Sequence, residues 1–333
     1  MLEEFDDVAT SSDAPRRTRG GRVRRVVISI LAFVLLVVVG IGGYAWFLSS
    51  QVDEGLTHDN LLGEAKEQTT TSEGTELVED AGDNYLIIGS DARPGETFSR
   101  ADVIQLVHVD ADHENVWIIH FPRDLYVPIP GHGQDKINAA YAFGEAPLLV
   151  RTIQDLVAVK VNHVAKTDFA GFKQLTDALG GVTVDNTAPG PDYPAGPVHL
   201  DGTEALDFVR ERKTLAEGDI SRGQRQQAWL KAIMRETLDP EVLLNPAKLN
   251  GVISAGTEHT VVDNGLTAGV IRSEAVRLRS VRGENIHFIT APFSGFGTTE
   301  NGASIDILDE VGMAALSDAL RTDDLESYAA SVQ

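Results

Sequence analysis

The sequence lacks cysteine entirely and has far fewer basic than acidic residues. None of its 333 residues is cysteine, which excludes disulfides, thiolate nucleophiles, and zinc or iron–sulfur centres held by cysteine. With 28 Lys and Arg against 50 Asp and Glu, the formal net charge is -22. Because proteins bind phosphate backbones mainly through Lys and Arg, no nucleic-acid partner is expected. Aromatic residues are also few, at 6%, but a hydrophobic content of 42% is ordinary for a folded protein.

A long apolar run lies near the N-terminus. Residues Val26–Leu48 carry no charge over 23 positions, and as a helix they would span about 35 Å, enough for a hydrocarbon core of roughly 30 Å. Arginines precede this run at positions 16, 17, 19, 22, 24 and 25, whereas the first Lys or Arg after it is Lys66. The positive-inside rule therefore predicts a single-pass plasma-membrane protein with a cytoplasmic N-terminus and an extracytoplasmic remainder. The alternative is a cleaved signal peptide, but the run is long for one and no A-x-A site follows it.

Composition divides the chain into five predicted parts. A basic cytoplasmic segment (1–25) and the transmembrane helix (26–48) come first. Residues 49–82 are polar and acidic without a sustained apolar period, and they are predicted to form a flexible extracytoplasmic stalk. Residues 83–322 alternate strand and helix patterns and are predicted to form the folded domain, and residues 323–333 a C-terminal tail.

The pattern of residues 83–322 predicts a three-layer α/β/α sandwich with a mixed central sheet. The apolar runs VIQLVHV and VWIIHF flank the turn DADHEN, as in an antiparallel hairpin. Asp168 is the expected N-cap of the helix FAGFKQLTDAL, and Gly180 is expected to end it. A long helix is predicted over 221–238. Strands and helices that interleave in this way predict a sheet covered by helices on both faces.

Two stretches place charged side chains at predicted strand ends. In GSDARPGETFSRAD, Asp91 follows one strand and Asp102 precedes the next, so that two carboxylates can meet at one sheet edge and hold Mg²⁺ together with substrate oxygens. Arg123 follows the strand VWIIHF, and ligands of open α/β sheets sit beyond the carboxyl ends of strands. Taken alone, each stretch is explained equally well by a solvated turn or by local ion pairs, Asp91 with Arg93 and Asp102 with Arg100.

A third stretch, ALDFVRERKTLAEGDISRGQRQQ, concentrates arginine in an acidic chain. Arg210 and Arg212 are two apart, so they would project from one face of a strand. Arg222 and Gln226 are four apart, so they share one face of the following helix. The alternative is a solvated helix whose arginines pair with neighbouring acids. Such exposed pairs contribute at most about 1 kcal/mol and do not require arginine. Planar, forked donors instead match a pyrophosphate.

These motifs also carry a family resemblance. In order, GSDAR, SRADVIQLVHVD, FPRDLYVPIPG, KINAAYAFG, LGGV, HLDGTEALDFVRER and GDISRGQRQQ resemble the LytR-CpsA-Psr (LCP) family of bacterial cell-envelope proteins over roughly residues 84–238. The resemblance implies that 83–322 is an LCP-like catalytic domain with an α/β/α fold. It further implies a Mg²⁺-dependent phosphotransferase that moves a polyprenyl-pyrophosphate-linked glycan onto a hydroxyl of peptidoglycan. A phosphodiester forms and polyprenyl phosphate is released.

The resemblance implies roles for individual residues. The metal-binding acids of the family correspond to Asp91 and Asp102, and the catalytic residues to Arg100, Arg123 and Asp102. The pyrophosphate-binding positions correspond to Arg100, Arg123, Arg210, Arg212, Arg222 and Gln226. Arg93, Lys136 and Arg225 are further candidates with less support.

The chain departs from the family pattern at two places. His120 and Phe121 precede PRD where a small residue is common, and Gly144 is followed by Glu145 where the family usually has a glycine pair. Neither change affects the arginines or the acids, and a lone strand histidine is more often structural than a base. Two other functions remain open. One is a pyrophosphatase that hydrolyses the same lipid. The other is a non-catalytic envelope-binding or regulatory protein.

Overall fold

A computed structural model describes most of the chain beyond the N-terminal apolar run. The described residues are 50, 55–79, 81–90, 101–216, 218–237, 239–243 and 245–332. The predicted transmembrane helix lies outside these residues. The segment that contains Asp91, Arg93 and Arg100 also lies outside them. No helix in the described part combines the length and the apolar character needed to cross a bilayer. The membrane topology therefore stays a prediction.

The described chain alternates strands and helices. The strands are β1 (Thr57–Asp59), β2 (Asp83–Ser90), β3 (Ala101–Val109), β4 (Val116–His120), β5 (Leu125–Ile129), β6 (Gly133–Lys136), β7 (His163–Thr167), β8 (Val182–Asn186), β9 (Gly196–Leu200), β10 (Thr260–Asp263), β11 (Ile286–Thr290), β12 (Phe293–Thr298) and β13 (Ser304–Leu308). The α-helices are α1 (Ile137–Val157), α2 (Phe169–Ala178), α3 (Gly202–Arg210), α4 (Asp219–Thr237), α5 (Pro240–Leu243), α6 (Pro246–Glu258), α7 (Ala268–Arg277), α8 (Glu310–Thr322) and α9 (Leu325–Val332). Short 3-10 helices occupy Gly63–Glu67, Leu278–Ser280 and Gly283–Asn285.

The main sheet is mixed, as predicted. In the part of the chain that the structure describes, its strands run in the order β1-β10-β7-β2-β3-β4-β11. The predicted hairpin is confirmed, because β3 and β4 pair antiparallel with Val109 opposite Val116. β2 pairs antiparallel with β3 and parallel with β7, and β4 pairs parallel with β11. The carboxyl ends of β2, β4, β7 and β11 and the start of β3 therefore lie at one edge of this sheet.

Helices cover both faces of the main sheet. Ile119 packs with Leu149 of α1 and Leu316 of α8 in one core cluster. Its neighbour Ile118 belongs to a second cluster that includes Leu230 of α4. Successive strand residues point to opposite faces, so these two clusters lie on opposite sides of the sheet. The result is a mixed α/β fold.

The helix ends follow the sequence signals. Asp168 caps α2, since its Oδ1 accepts a hydrogen bond of 2.9 Å from the amide of Gly171. Gly180 follows the helix at a φ of +87°, a conformation that favours glycine. The helix predicted over 221–238 is α4 (Asp219–Thr237). These boundaries position α2 and α4 above the central strands.

The prediction of a flexible stalk over 49–82 does not hold for residues 55–79. β1 joins the edge of the main sheet through a parallel pairing with β10. Leu61, Leu62 and Ala65 are buried in the core cluster that contains Ile119. The backbone is anchored as well, because Gln154 Nε2 donates to the carbonyl of Ala65 over 3.2 Å. A single apolar pair carries no periodic signal, which is why this segment resembled a linker.

The predicted C-terminal tail also differs from the structure. Residues Leu325–Val332 form α9. Its side chains Leu325 and Tyr328 are buried in the same core cluster as α8. The helix is too short for a strong periodic pattern, and its packing against α8 is what stabilises it.

Candidate active site

A cavity of about 1060 Å³ lies between the main sheet and helices α2 and α4. Its apolar lining comes from sheet and helices alike, and includes Ile87, Val103, Phe172, Leu175, Trp229 and Leu230. Its charged lining lies where the carboxyl ends of the strands meet the ends of α3 and α4. One cavity thus has both an apolar and a charged part.

Asp102 and Arg123 meet at the charged part of this cavity. β3 begins beside the point where β4 ends, and Arg123 Nη1 donates to Asp102 Oδ1 over 2.5 Å. Arg123 Nε also lies 3.6 Å from Asp124 Oδ2, and Lys136 Nζ lies 2.8 Å from the other oxygen of that carboxylate. Asp102 and Arg123 line the cavity, whereas Asp124 and Lys136 are not among its lining residues. Lys136 therefore holds the carboxylate that flanks Arg123.

Arg210 and Arg212 do not lie on a strand, so that prediction is wrong. Arg210 is the last residue of α3 and Arg212 follows the helix. The helix is nucleated by a capping box, in which Asp201 accepts from the amide of Glu204, and Glu204 accepts from the amide of Asp201. Both arginines still line the cavity, and the guanidinium of Arg210 stacks 4.6 Å from the ring centroid of Phe169.

Arg222 and Gln226 share the face of α4 that lines the cavity, as their spacing predicted. The cavity thus gathers every described residue of the predicted set, namely Asp102, Arg123, Arg210, Arg212, Arg222 and Gln226. Asp207 and Glu211 lie among the arginines and offset part of their charge. Four guanidiniums from three segments of the chain therefore converge on one space, which is an arrangement suited to an anion with several oxygens.

Arg225 is a structural residue. Its side chain is only 1% exposed and lies between the rings of Phe208 and Tyr193, with distances of 4.5 and 5.4 Å to their centroids. Nε donates to the carbonyl of Ala188 over 2.9 Å. A Cβ on Gly190 would lie 3.0 Å from Nη2, so the glycine leaves room for the guanidinium. Burial lowers the pKa of Arg225. Only the structure distinguishes this arginine from Arg222.

Sequence reasoning missed Gln105, which lines the cavity from β3. Its neighbours on the same face are Val103 and Val107, so a polar residue on an alternating apolar face was the available signal. His120, considered above as a base, is buried directly opposite Gln105 on β4. The apolar lining residues gave no signal, because they are indistinguishable from ordinary core residues in sequence.

The fold and this cavity define a class: a mixed α/β protein in which an arginine-rich sheet edge borders an apolar interior. The chain matches the model of the LytR_cpsA_psr family over residues 47–322. It therefore belongs to the LytR-CpsA-Psr family.

Individual relatives agree with this assignment. The chain is 29% identical to the cell wall biosynthesis protein LcpA of Corynebacterium glutamicum, over 93% of this chain and 68% of that protein. It is 31% identical to the polyisoprenyl-teichoic acid–peptidoglycan teichoic acid transferase TagU of Bacillus mycoides, over 64% of this chain and 71% of that protein. The crystal structure of B. subtilis TagV has the same fold, with a TM-score of 0.62 at 22% identity over 74% of this chain and 98% of TagV.

Proposed function

We propose that this protein is a membrane-anchored phosphotransferase that moves a glycopolymer from polyprenyl pyrophosphate to a hydroxyl of peptidoglycan. The observation that carries the proposal is the cavity itself, in which a cluster of guanidiniums borders an apolar interior. A prenyl pyrophosphate likewise joins a charged headgroup, which the guanidiniums would bind, directly to an apolar chain, which the apolar interior would hold. Membership of the LytR-CpsA-Psr family and the cell-wall functions named for LcpA and TagU support it.

The charged part of the cavity would bind the pyrophosphate. Arg123, Arg210, Arg212 and Arg222 supply forked cationic donors, and Gln226 supplies a neutral amide. The apolar part would take the first isoprene units. A prenyl chain that moves from a bilayer into an apolar cavity exchanges one apolar surrounding for another, so the net hydrophobic gain is small. Selectivity then rests on the headgroup and its sugar.

The proposed reaction is an in-line displacement at the sugar-side phosphorus. The acceptor hydroxyl oxygen forms the new P–O bond and loses its proton to solvent. The bond between that phosphorus and the bridging oxygen breaks, and polyprenyl monophosphate leaves with the electron pair. Negative charge grows on the non-bridging and leaving oxygens, where fixed guanidiniums stabilise it most effectively. Such a reaction requires no protein nucleophile.

We further propose Mg²⁺ as the cofactor. The carboxylate of Asp102 suits this ion, since it is a hard oxygen donor that lines the charged part of the cavity. Its Oδ1 already accepts from Arg123, so the metal would share this carboxylate with the guanidinium. Asp91, the other proposed ligand, lies outside the described residues. When bound, Mg²⁺ would offset charge on the phosphate oxygens.

The proposed anchor is the apolar run Val26–Leu48, which comes directly before and slightly overlaps the region that matches the family model. Residues 55–79, which follow soon after this run in the sequence, pack against the domain.

The test is ligand-induced stabilisation of the full chain in lipid nanodiscs, with geranylgeranyl pyrophosphate as the probe. When the probe concentration is about 100 times its dissociation constant, the free energy of unfolding of the wild type should rise by about 2.7 kcal/mol. Arg212→Ala should lose most of this shift. The matched control is Arg235→Ala, which removes a guanidinium from an exposed position of α4 outside the cavity. Geranylgeraniol, which lacks the headgroup, should stabilise neither protein appreciably. Equal stabilisation by alcohol and pyrophosphate would contradict the proposed site.

A further inference from the structure

Two buried polar side chains lie side by side on the sheet surface under α4. Gln105 on β3 is 2% exposed and lines the cavity, and His120 on β4 is 6% exposed. The two residues are directly opposite each other in the antiparallel register of these strands. Opposite residues project from the same face of a sheet, with Cβ atoms about 5 Å apart. We call Gln105 and His120 the floor pair.

Each member of the floor pair has one buried atom without a hydrogen-bond partner among the described residues. These atoms are Gln105 Oε1 and His120 Nδ1. Buried polar atoms in folded proteins are almost always satisfied, so two orphans at neighbouring positions require an explanation. An amide oxygen only accepts, whereas Nδ1 donates in one tautomer of a neutral imidazole. The two orphans are therefore complementary to each other.

The position of α4 connects the floor pair to the charged part of the cavity. A Cβ on Gly223 would lie 3.4 Å from His120 Nε2, so the backbone of α4 passes directly over the imidazole. The preceding residue is Arg222, which belongs to the proposed pyrophosphate site. Burial, and secondarily the charge of Arg222, lower the pKa of His120 to about 4. The ring is therefore neutral at pH 7 and has a single N–H, and it is a poor general base.

We propose that the floor pair recognises the pyrophosphate, with Gln105 as the contacting residue and His120 as its positioning residue. This inference rests on the proposed function. When the anion binds, His120 Nδ1–H donates to Gln105 Oε1. Because the oxygen and nitrogen of a carboxamide diverge, this bond leaves the Gln105 NH₂ group to donate to a pyrophosphate oxygen. In this proposal the pair closes by rotation about side-chain bonds, and the ligand supplies the acceptor that makes the closed arrangement favourable.

The first test measures the affinity of the full chain in nanodiscs for geranylgeranyl pyrophosphate. Gln105→Met keeps the length of the side chain and removes the donor, and should raise the Kd about tenfold, as expected for one lost hydrogen bond to an anion. His120→Gln, whose amide nitrogen falls near the position of Nε2, should raise the Kd about fivefold. His120→Asn keeps a donor at the position of Nδ1 and should stay within about twofold of the wild type.

A positioning role also predicts non-additivity. In the Gln105→Met background, His120→Gln should weaken binding no further, because the group that it orients is already gone. Additive losses would overturn the coupling of the two residues. Melting temperatures measured on the same proteins show whether each variant is folded, and Gln105→Glu provides a second variant at this position. Its carboxylate should repel the anion and raise the Kd more than Gln105→Met does.

A ring-nitrogen spectrum provides an independent test. In protein labelled with ¹⁵N-histidine, probe binding should shift the His120 resonances toward the Nδ1-protonated tautomer. His108 is the matched control, because it is also buried but both of its nitrogens already have partners, Asn84 Oδ1 and Asp323 Oδ1, each at 2.9 Å. Its resonances should not change. Probe binding without any change at His120 would overturn the proposal.

The outcomes separate the floor pair from the transferase proposal. If the wild type binds the probe and Gln105→Met binds equally well, the floor pair has no role and the proposed function is unaffected. If the wild type does not bind the probe, both proposals fail together. If Gln105→Met and His120→Gln both raise the Kd while His120→Asn keeps it near the wild-type value, the proposed role of the floor pair is supported.

Discussion

Arg225 provides a quantitative test of how the arginines divide between structure and ligand binding. Arg225→Ala removes donors from the buried carbonyls of Ala188 and Phe208, to which Nε and Nη1 donate over 2.9 and 3.4 Å. It also removes a guanidinium packed between two aromatic rings. Each lost hydrogen bond that leaves a buried carbonyl unpaired costs about 1–3 kcal/mol, and the ring contacts contribute about 0.5–2 kcal/mol.

The net effect is smaller than the sum of these losses, because the variant no longer buries a charged group. We expect a destabilisation of about 3 kcal/mol, or a melting temperature lower by roughly 6–10 °C for a domain of this size. The matched variant Arg222→Ala changes a cavity-lining residue three positions earlier on the same helix, and should melt within about 2 °C of the wild type. The assay is thermal unfolding of both variants with and without geranylgeranyl pyrophosphate. If Arg225→Ala melts like the wild type but loses the ligand-induced shift, Arg225 binds the ligand and our division of the arginines is wrong.

Four further predictions follow from the site and the sequence. Asp102→Asn should abolish Mg²⁺-dependent turnover. It should change the melting temperature little, since the carboxylate lies at the cavity and not in the core. Full activity in this variant would show that Asp102 is not a metal ligand. Arg212→Lys keeps the charge but loses the fork, so titration should show a moderate loss of affinity and turnover assays a larger loss of rate. The pKa of His120 is lowered to about 4 in the folded state, so the unfolded chain takes up the proton first as the pH falls. The folded state should therefore lose stability below pH 6.5, by about 2 kcal/mol at pH 5. His120→Asn should flatten that part of a curve of melting temperature against pH, and an unchanged slope would refute the buried, neutral state of His120. External protease on spheroplasts should digest the chain after Ser49 and spare an N-terminal tag, whereas the reverse pattern would exclude an extracytoplasmic domain.

The sequence predicted most of the main sheet because its strands carry strong local signals. The hairpin of β3 and β4, the cap at Asp168 and the glycine at Gly180 all depend on residues within one or two turns of each other. The segments with the wrong or missing assignment depend on long-range packing instead. Leu61 and Leu62 become core residues only because α1 and the sheet lie against them, and α9 exists because α8 offers an apolar surface.

The candidate site was predictable in composition but not in local structure. The spacing of Arg222 and Gln226 correctly placed both on the cavity face of α4. Arg210 and Arg212 were assigned to a strand because two-residue spacing suits one, although the capping box of Asp201 and Glu204, six to nine residues before Arg210, favours a helix. No sequence pattern separates the buried Arg225 from its neighbours, since its partners are backbone carbonyls from distant segments. The floor pair was hidden for a similar reason, because its two members lie on different strands and only the strand register brings them together.

We propose that the protein transfers a phosphoryl-linked glycan, and that it neither hydrolyses this substrate nor merely binds it. A polyprenyl-pyrophosphate-linked glycan with ³²P in the sugar-side phosphate, incubated with the full chain in nanodiscs, Mg²⁺ and peptidoglycan fragments, distinguishes these possibilities. We expect the label to appear in peptidoglycan as a phosphodiester and unlabelled polyprenyl monophosphate to be released, and we expect Arg222→Ala to reduce both. Label recovered only in soluble glycan phosphate would identify a pyrophosphatase, and label that stays entirely in the bound lipid would identify a binding protein. Either of these two results would contradict the proposed transfer.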